Sequence, residues 1–434
     1  MTAATPMVGA SGRVTATPVG RPTQRSLAAY GLLGAPLAMM ALPVYVLVPK
    51  FYFDATGLAL SIIGAVLLIT RLADAFIDPL LGAWVDRSKR HSIVRPVLVG
   101  MPPLVLGFVL LFLPPAGLSA MAAAAWLAVT LMAAYFGYSV ASIAYQAWGA
   151  GLADTDGDRA HVTAWREGAG LVGVILASVV PYALGAPSLV ALFLAALAIA
   201  LTVLVRYAPR PPVRNPAESS SAPLTVALPL ATSRFRWLLA VFVANGIAAA
   251  IPASLVLFFV ADRLQLEPSS GLFLALYFIA GAASMPMWVR LAHRIPLEAV
   301  WLIGMVAAVA AFVWAHALGA GDFTAFALIC ALSGVALGAD LALPPALLAR
   351  VIDRNGHTGL HEGAYFGLWN LANKLNLALA AGIALPTLGL LGYVPGTRAP
   401  EALAALAFAY ALLPCALKLV AAALLATAWR TRRL

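Results

Sequence analysis

Apolar segments of about twenty residues recur along this chain from Leu27 onward. A helix of about 20 residues is long enough to cross the hydrocarbon core of a bilayer. A spanning segment must pair its own backbone polar groups, and these segments are too long for barrel strands. We therefore predict twelve transmembrane helices, with approximate limits 27–49, 56–84, 93–114, 120–150, 162–186, 187–207, 235–261, 268–291, 297–319, 322–350, 359–391 and 401–429.

The composition excludes a chain of several soluble domains. Of the 434 residues, 63% are hydrophobic and only 10% are charged, whereas soluble proteins carry about 25% charged residues.

The formal net charge of +10 is explained by the orientation of the helices, with some help from anionic lipid. We expect no nucleic-acid partner, because no basic surface stands apart from the predicted membrane segments.

The distribution of basic residues predicts the orientation. Loops on the cytoplasmic side of a membrane are enriched in lysine and arginine. If both termini are cytoplasmic, only Lys50, Arg263 and Arg398 fall in outer loops, and almost all other basic residues fall inside. Arginine far outnumbers lysine and alanine is abundant, which indicates a GC-rich bacterial genome. We therefore expect a multi-pass monomer in the cytoplasmic (inner) membrane.

A segment rich in proline and serine divides the predicted helices into two groups of six. We predict a disordered tail at 1–26, a six-helix bundle at 27–207, a cytoplasmic linker at 208–234 and a second bundle at 235–430. This organisation resembles the major facilitator superfamily, whose binding site lies between the halves. The loop sequence GAWVDRSKR at 82–90 also resembles the G-x-x-x-D-R-x-x-R/K signature of that superfamily.

The second span carries three charged residues with helical spacing, Arg71, Asp74 and Asp78. Residues three and seven apart lie on one face of a helix. An ionised side chain near the bilayer centre costs several kcal/mol and normally faces a cavity or a partner. Two carboxylates one turn apart repel each other unless a cation or a proton lies between them. This pattern favours a coupling site for a cation; the alternative is a structural network between helices.

Three segments resemble the glycoside–pentoside–hexuronide:cation symporter family, which includes the melibiose permeases. They are RLADAFIDPLLGAWVD at 71–86, the region from span 4 into span 5 at 143–173, and EGAYFGLWNLANK at the start of 362–393. The resemblance implies that Asp74 and Asp78 correspond to the cation-site acids of the family. It likewise relates Arg166 to the span-5 arginine and Lys374 to the span-11 lysine, and it implies symport of a small solute.

Lys374 needs a partner if it lies within the membrane, because an isolated ammonium group there is costly. The simplest partner is Asp74 or Asp78 from the other half, which Lys374 would neutralise when no cation is bound. The alternative is a side chain that extends to the membrane interface. Span 1 has no acid where the family's sugar carriers have one, and Na⁺ usually requires more oxygen ligands than two side chains supply. We therefore favour H⁺ over Na⁺ as the coupling ion, with Na⁺ at Asp74 and Asp78 as the alternative.

Further polar and aromatic residues within the spans are candidates for solute binding. Asp340 is followed by Pro344 and Pro345, which we expect to break the helix; Asp340 could bind a proton or solute, or pair with an arginine for packing. Ser142 and Gln146 replace the acid and the aromatic residue that bind galactosides in the family. Tyr145 and Trp369 could stack on a sugar, although helix packing is the commoner role. The candidates are Arg71, Gln146, Arg166, Tyr145, Trp369, Asn370, Asn373 and Asp340.

The leading interpretation is a secondary transporter that moves a small solute, such as a sugar or glycoside, together with H⁺ or Na⁺ by alternating access. Its partners would be the solute, the coupling cation and membrane lipid, with no resident cofactor or metal. A first alternative is a carrier of lipids or amphipathic solutes on the same fold. A second is an intramembrane prenyltransferase, suggested superficially by the spacing of Asp74, Asp78 and Asp86.

The predicted orientation can be tested by labelling with a membrane-impermeant thiol reagent on intact cells, in a background that lacks Cys330 and Cys415. We expect Ser220→Cys in the linker to resist labelling, because the linker is cytoplasmic. Gly117→Cys, in the predicted outer loop between spans 3 and 4, should be labelled and serves as the positive control. Labelling of Ser220→Cys from outside would contradict the orientation.

Overall fold

The structure is a computed structural model that describes residues 23–46, 48–89, 92–184, 186–211, 226–390, 392–394 and 396–434. Every regular element within these ranges is helical. Residues 1–22 of the predicted tail and residues 212–225 of the predicted linker lie outside the described part. The first helix begins at Gln24, where the Thr23 hydroxyl accepts a hydrogen bond from the backbone N–H of Ser26 and caps the helix.

The described α-helices before the linker are α1 Gln24–Gly31, α2 Gly34–Val46, α3 Val48–Thr56, α4 Leu60–Ser88, α5 Val94–Leu111, α6 Ala120–Ala150, α7 Asp156–Leu184 and α8 Ala186–Tyr207. Those after it are α9 Leu228–Ala231, α10 Ser233–Phe258, α11 Ser270–Ala292, α12 Leu297–Phe312, α13 Phe323–Arg354, α14 Glu362–Leu390, α15 Pro400–Ala407 and α16 Leu413–Arg430. Short π-helical segments, Phe259–Arg263 and Phe408–Leu412, continue α10 and join α15 to α16.

Twelve membrane spans form two six-helix bundles. Within the described residues, 8 helices are long and apolar enough to cross a membrane by length and composition alone. They are Val94–Leu111, Ala120–Ala150, Ser188–Tyr207, Ser233–Arg263, Glu267–Ala292, Leu297–Ala317, Phe323–Arg354 and Pro400–Arg430. The other four spans are the interrupted segment α1–α3 and the helices α4, α7 and α14, which carry the charged residues singled out above.

The first span differs from the prediction because it is not one helix. A turn at Leu32 and Leu33 separates α1 from α2. The glycines beside this turn pack directly against the backbone of α7. A Cβ atom at Gly34 would lie 2.3 Å from the carbonyl oxygen of Arg166, and one at Gly31 would lie 2.7 Å from that of Trp165. The first span is therefore pressed against the charged part of α7, an approach that only glycine permits.

The expected break at Pro344 and Pro345 is wrong, because α13 runs without interruption from Phe323 to Arg354. Each proline removes one backbone hydrogen bond, but neighbouring helices can support a membrane helix at such a point. Helix α13 packs against both α11 and α12. From α11, Ser284 and Trp288 donate side-chain hydrogen bonds to the carbonyl oxygen of Val335. Packing against α11 and α12 therefore supports α13 as one continuous helix.

The two bundles meet along α4 and α14, with further contacts between α6 and α14 and between α7 and the pair α11 and α13. The α4–α14 contact depends on two glycines that face each other. A Cβ atom at Gly82 would lie 2.1 Å from the carbonyl oxygen of Gly363, and one at Gly363 would lie 2.3 Å from that of Gly82. Because neither residue has a side chain, the two backbones touch near one end of the molecule.

We call this end the basic face. It contains the last turn of α4, the start of α7, the last turn of α13, the start of α14 and the end of α16. Ion pairs join these segments, for example between Arg159 and Asp353 and between Arg350 and Asp156. In this conformation the two halves are therefore held together at the basic face.

The glycine contact predicts a large difference between two similar substitutions in α4. Gly82→Ala should lower the thermal stability of the purified protein, because overpacking costs about 1–3 kcal/mol. Gly64→Ala is the matched control, since a Cβ atom there meets nothing within 4 Å; it should leave the stability unchanged or slightly higher. Equal melting temperatures for the two variants would contradict the close approach of α4 and α14.

Candidate functional site

The charged residues of α4 and α14 meet between the two halves. The ammonium group of Lys374 lies 2.5 Å from Asp74 Oδ2 and 2.7 Å from Asp78 Oδ2. Both carboxylates are buried, and Asp78 is 0% exposed. The predicted contact across the halves is therefore present, and the alternative of a lysine that extends to the membrane interface is wrong.

Ser139 of α6 completes this cluster. Its hydroxyl group donates a hydrogen bond to Asp74 Oδ1 at 2.8 Å and accepts one from the Lys374 ammonium group at 2.9 Å. Ser139 was not among the candidate residues predicted from the sequence. Its spacing could have identified it, because Ser139 precedes Ser142 by three residues and therefore lies on the same face of the helix. We call Asp74, Asp78, Ser139 and Lys374 the central cluster.

Asp78 is the least satisfied member of the central cluster. Lys374 lies close to it, yet neither oxygen of its buried carboxylate accepts a well-aligned hydrogen bond from the described residues. Buried polar atoms in native proteins normally have such a partner, and exceptions often mark functional sites. Asp78 therefore depends on the ammonium group that it shares with Asp74, and a proton or a small cation at Asp78 would compete with Lys374.

Glycine explains how the chain brings the central cluster together. A Cβ atom at Gly367 would lie 2.6 Å from the carbonyl oxygen of Asp78. Lys374 follows Gly367 by seven residues, which is two helical turns on the same face. The close approach at Gly367 therefore directs that face of α14, including Lys374, toward the acids of α4.

Other polar candidates surround the central cluster. Arg71 lies one turn before Asp74, near Asp74, Tyr135 and Tyr138. The Gln146 side chain donates hydrogen bonds to Ser142 at 2.8 Å and, across the halves, to Asn370 at 3.3 Å. Asn373 has an exposed side chain, and no hydrogen bond joins it to the other candidates among the described residues.

Arg166 forms an ion pair with its neighbour Glu167 at 2.6 Å and lies near Tyr30 and Tyr145. Arg166 and Gln146 both line a cavity of about 10 Å³. A cavity of this size holds about one water molecule, whereas sites for small organic ligands occupy hundreds of Å³. In this conformation the space between Gln146 and Arg166 is therefore closed to a sugar.

The aromatic candidates are covered by other side chains. Tyr145 and Tyr30 are both buried, and each hydroxyl group donates to the carbonyl oxygen of the other residue. The ring of Trp369 stacks on Phe242 with 3.6 Å between centroids. These contacts match the packing alternative for Tyr145 and Trp369, because neither ring presents a free face of the kind that would stack on a sugar.

Asp340 lies in a separate network within the second bundle. Its carboxylate accepts hydrogen bonds from Lys418 at 2.6 Å, Trp301 at 2.9 Å and Asn245 at 3.2 Å. The partner expected from packing was an arginine, and that detail is wrong, since the described partner is Lys418 of α16. No described contact connects Asp340 with the central cluster.

A second group of charged contacts joins the halves at the basic face. Asp86 accepts hydrogen bonds from the backbone N–H groups of Gly363 at 2.7 Å and Ala364 at 2.8 Å. A carboxylate at a helix N-terminus satisfies free N–H groups and interacts favourably with the helix dipole. Lys89 pairs with Asp86 and with Glu362. The capping of a helix of the other half by Asp86 was not predicted from the sequence.

A further ion-pair network connects α7 with the second bundle. Arg350 of α13 pairs with Asp156 of α7 at 2.7 Å, and it also contacts Glu298 of α12. Arg159 of α7 pairs with Asp353 of α13 at 2.9 Å. These partners are distant in sequence, and no local pattern identified them.

The chain is similar in sequence to known transport proteins. A family model described as MFS/sugar transport protein matches residues 27–428. The glucuronide carrier protein homolog of Escherichia coli (strain K12) is 25% identical over 391 residues, which cover 86% of this chain and 85% of that protein. YagG of the same organism is 30% identical over 146 residues, 33% of this chain. This alignment spans only 32% of YagG, and one with YjmB of Bacillus subtilis (strain 168) spans 29% of that protein.

Solved structures share the fold at low sequence identity. A bacterial homologue of the iron transporter ferroportin, in an outward-facing state, has a TM-score of 0.68 at 18% identity, covering 92% of this chain and 98% of that chain. The major facilitator superfamily transporter FucP, in the outward conformation, has a TM-score of 0.63 at 14% identity, covering 92% and 97%. These matches are to transporters and do not support an intramembrane enzyme. Because the family model matches nearly the whole of this chain, the chain belongs to the MFS/sugar transport protein family.

Proposed function

We propose that this protein is a secondary active transporter that moves a small solute, a sugar or a glycoside, together with a cation by alternating access. The names of similar proteins support the class of transport. YicJ of Escherichia coli (strain K12) is named an inner membrane symporter, another relative is named a glucuronide carrier protein homolog, and FucP is named a fucose:proton symporter. The chemistry of the central cluster supports cation coupling independently of those names.

The observation that carries this proposal is the Asp78 carboxylate, which is fully buried and shares the ammonium group of Lys374 with Asp74. Such a carboxylate is costly unless a cation compensates it. In the proposed cycle, Lys374 compensates both acids when the site is empty. A coupling cation at Asp78 would weaken the hold of Lys374 on α4, and solute binding would then allow the halves to move.

The proposed coupling ion is H⁺. The described oxygen donors around Lys374 are two carboxylates and the Ser139 hydroxyl group, and Na⁺ usually requires more ligands than these. Two carboxylates that lie close together can instead share one proton. A transport current that depends on Na⁺ and not on pH would reverse this assignment.

The solute site is proposed to lie between the halves, beside the central cluster. Gln146 and Asn370 already bridge the halves with a hydrogen bond, and Arg71 and Arg166 supply positive charge nearby. Because the cavity beside Gln146 and Arg166 is closed, these residues would reach the solute only after the halves rearrange. Tyr145 and Trp369 would then support the site as packing residues.

We also propose that the basic face is cytoplasmic, with both ends of the chain on that side of a bacterial cytoplasmic membrane. Its loops carry most of the lysine and arginine residues, which is typical of cytoplasmic loops. The ion pairs that close this face would then correspond to a conformation shut toward the cytoplasm. In this proposal the two bundles, 27–207 and 235–430, are the units that move.

Asp78→Asn should abolish accumulation driven by an imposed pH gradient, because asparagine fits the space but cannot carry the coupling proton. Exchange of labelled for unlabelled solute should persist, since exchange needs no net movement of the cation. The solute is first identified by a thermal-shift screen of sugars and glycosides. Its accumulation and exchange are then measured in proteoliposomes that contain wild type or the variant. Asp154→Asn, at an exposed acid of the basic face, is the control. Full gradient-driven accumulation by Asp78→Asn would contradict the proposed role.

The proposed pairing also predicts non-additive stability. Lys374→Ala leaves two buried carboxylates without their cation, and breaking a buried ion pair costs about 3–5 kcal/mol. Combining Lys374→Ala with Asp78→Asn should therefore cost clearly less than the sum of the two single losses. Lys418→Ala combined with Asp78→Asn is the matched control and should be additive, because Lys418 pairs with Asp340 instead. Additive losses in both combinations, measured by thermal or denaturant unfolding, would contradict direct pairing.

A further inference from the structure

An open cavity of about 550 Å³ lies at the basic face beside the second bundle. Among the described residues that line it are five arginines, Arg234, Arg350, Arg354, Arg430 and Arg432. They come from three helix ends, the start of α10, the last turn of α13 and the end of α16, so only the folded arrangement brings the three ends together. The cavity is separate from the central cluster, and the proposed transport cycle does not use it.

The cavity has an excess of positive charge. Its described acidic side chains are those of Asp156 and Glu298, and Leu434 also lies in the lining, so the arginine side chains outnumber the acidic ones. Both acids pair with Arg350. The Nε atom of Arg350 is buried and has no hydrogen-bond partner among the described residues.

The remaining arginines are available to a ligand to different degrees. Arg354 donates a hydrogen bond to the main-chain oxygen of Leu434 at 2.8 Å, and Arg234 donates to the Asn355 side chain at 3.4 Å. Arg430 and Arg432 are exposed. An anion that enters the cavity would therefore meet two exposed guanidinium groups, those of Arg430 and Arg432.

The backbone conformation of Arg432 is a second observation that indicates a role for the arginines of this cavity. Arg432 has a φ of 54°, in the left-handed region that favours glycine. It ends α16 in a Schellman motif, with hydrogen bonds from Arg433 N to Ala428 O and from Arg432 N to Trp429 O. Glycine would satisfy this turn with less strain, so an arginine here suggests a use for its side chain.

We propose that this cavity binds a phosphate-bearing anion, either the head group of an anionic phospholipid or a soluble phosphate compound. The planar guanidinium group of arginine matches the oxygens of phosphate and forms paired, charge-assisted hydrogen bonds with them. The volume lies within the range of small-molecule sites and exceeds the need of a single simple ion. Trp429 also lines the cavity, and tryptophan is typical of the membrane interface, where lipid head groups lie.

The occupied cavity would also strengthen the closure of the basic face. Asp156, from the first bundle, and Arg350, from the second, both line the cavity and pair with each other. A phosphate group near Arg350 and Arg354 would relieve the repulsion among the arginines while that contact is closed. The anion should therefore bind more tightly to the conformation described here than to one in which α7 has moved away.

The test uses the full-length protein in phosphatidylcholine nanodiscs and measures its melting temperature as inorganic phosphate replaces chloride at constant ionic strength. A parallel series replaces part of the phosphatidylcholine with phosphatidylglycerol, without phosphate. Arg430→Gln/Arg432→Gln removes two exposed charges from the cavity. Arg290→Gln/Arg294→Gln removes two exposed charges at the end of α11, outside the cavity. Phosphate stabilises proteins in general, so the difference between the two double variants carries the result.

We expect one of the two probes to raise the melting temperature of wild type and of Arg290→Gln/Arg294→Gln by at least about 2 °C. A ligand that binds only the folded state stabilises that state in this way. Arg430→Gln/Arg432→Gln should bind at least about tenfold more weakly, the usual effect of losing a charged hydrogen bond. A response to inorganic phosphate indicates a soluble anion, and a response to phosphatidylglycerol alone indicates a lipid. Equal responses of the two double variants to both probes would overturn the proposal.

Arg432→Gly separates lost binding from lost folding. This substitution removes the charge but relieves the left-handed backbone strain, so the variant should be at least as stable as wild type without a ligand. It should nevertheless show a smaller response to the effective probe. An undiminished response in Arg432→Gly, together with an undiminished response in Arg430→Gln/Arg432→Gln, would exclude the cavity as the binding site.

Discussion

The contact of Lys374 with Asp74 and Asp78 ties one half of the molecule to the other where unpaired charges cost most. None of the three ionised groups is stable alone in an apolar interior, so each half carries charge that only the other half can compensate. Glycines make this contact possible by letting α4 and α14 approach to backbone distance. In this contact Asp78 is fully buried and shares the ammonium group of Lys374 with Asp74, which is why we propose Asp78 as the group that responds to a cation.

Helices α4 and α14 contribute to both the central cluster and the basic face. Asp86 of α4 caps the start of α14, and Lys374 lies about three turns further along α14. A movement of α14 away from α4 would therefore break the cap, the Lys89–Glu362 pair and the Lys374 contacts together. This shared geometry explains how a change in charge at Asp78 could be transmitted to the basic face without a separate signalling element. The Arg350 and Arg159 ion pairs add contacts through α7, so closure does not depend on α4 and α14 alone.

Long apolar segments and isolated intramembrane charges allowed the most reliable predictions from sequence. Eight of the predicted spans follow from length and hydrophobicity alone among the described residues, and the others are apolar segments that also carry charged residues. The contact between Lys374 and the acids of α4 follows from the cost of unpaired charge. The roles of these residues in coupling remain predictions. Features of a helix that depend on its neighbours could not be predicted from the sequence. The turn at Leu32 and Leu33 depends on packing against α7, and α13 stays continuous through two prolines because α11 and α12 support it. Lys418 as the partner of Asp340 could not be inferred, since sequence alone does not reveal which spans are neighbours.

The central claim is that the coupling cation acts on Asp78, and infrared difference spectroscopy of the carboxyl groups tests it most directly. Spectra of the purified protein would be recorded while pH, or Na⁺ at constant pH, is stepped. The account predicts a carboxyl signal that responds to the cation in wild type, persists in Asp340→Asn and is lost in Asp78→Asn. The same cation-dependent signal in Asp78→Asn would show that the cation acts elsewhere and would contradict the account.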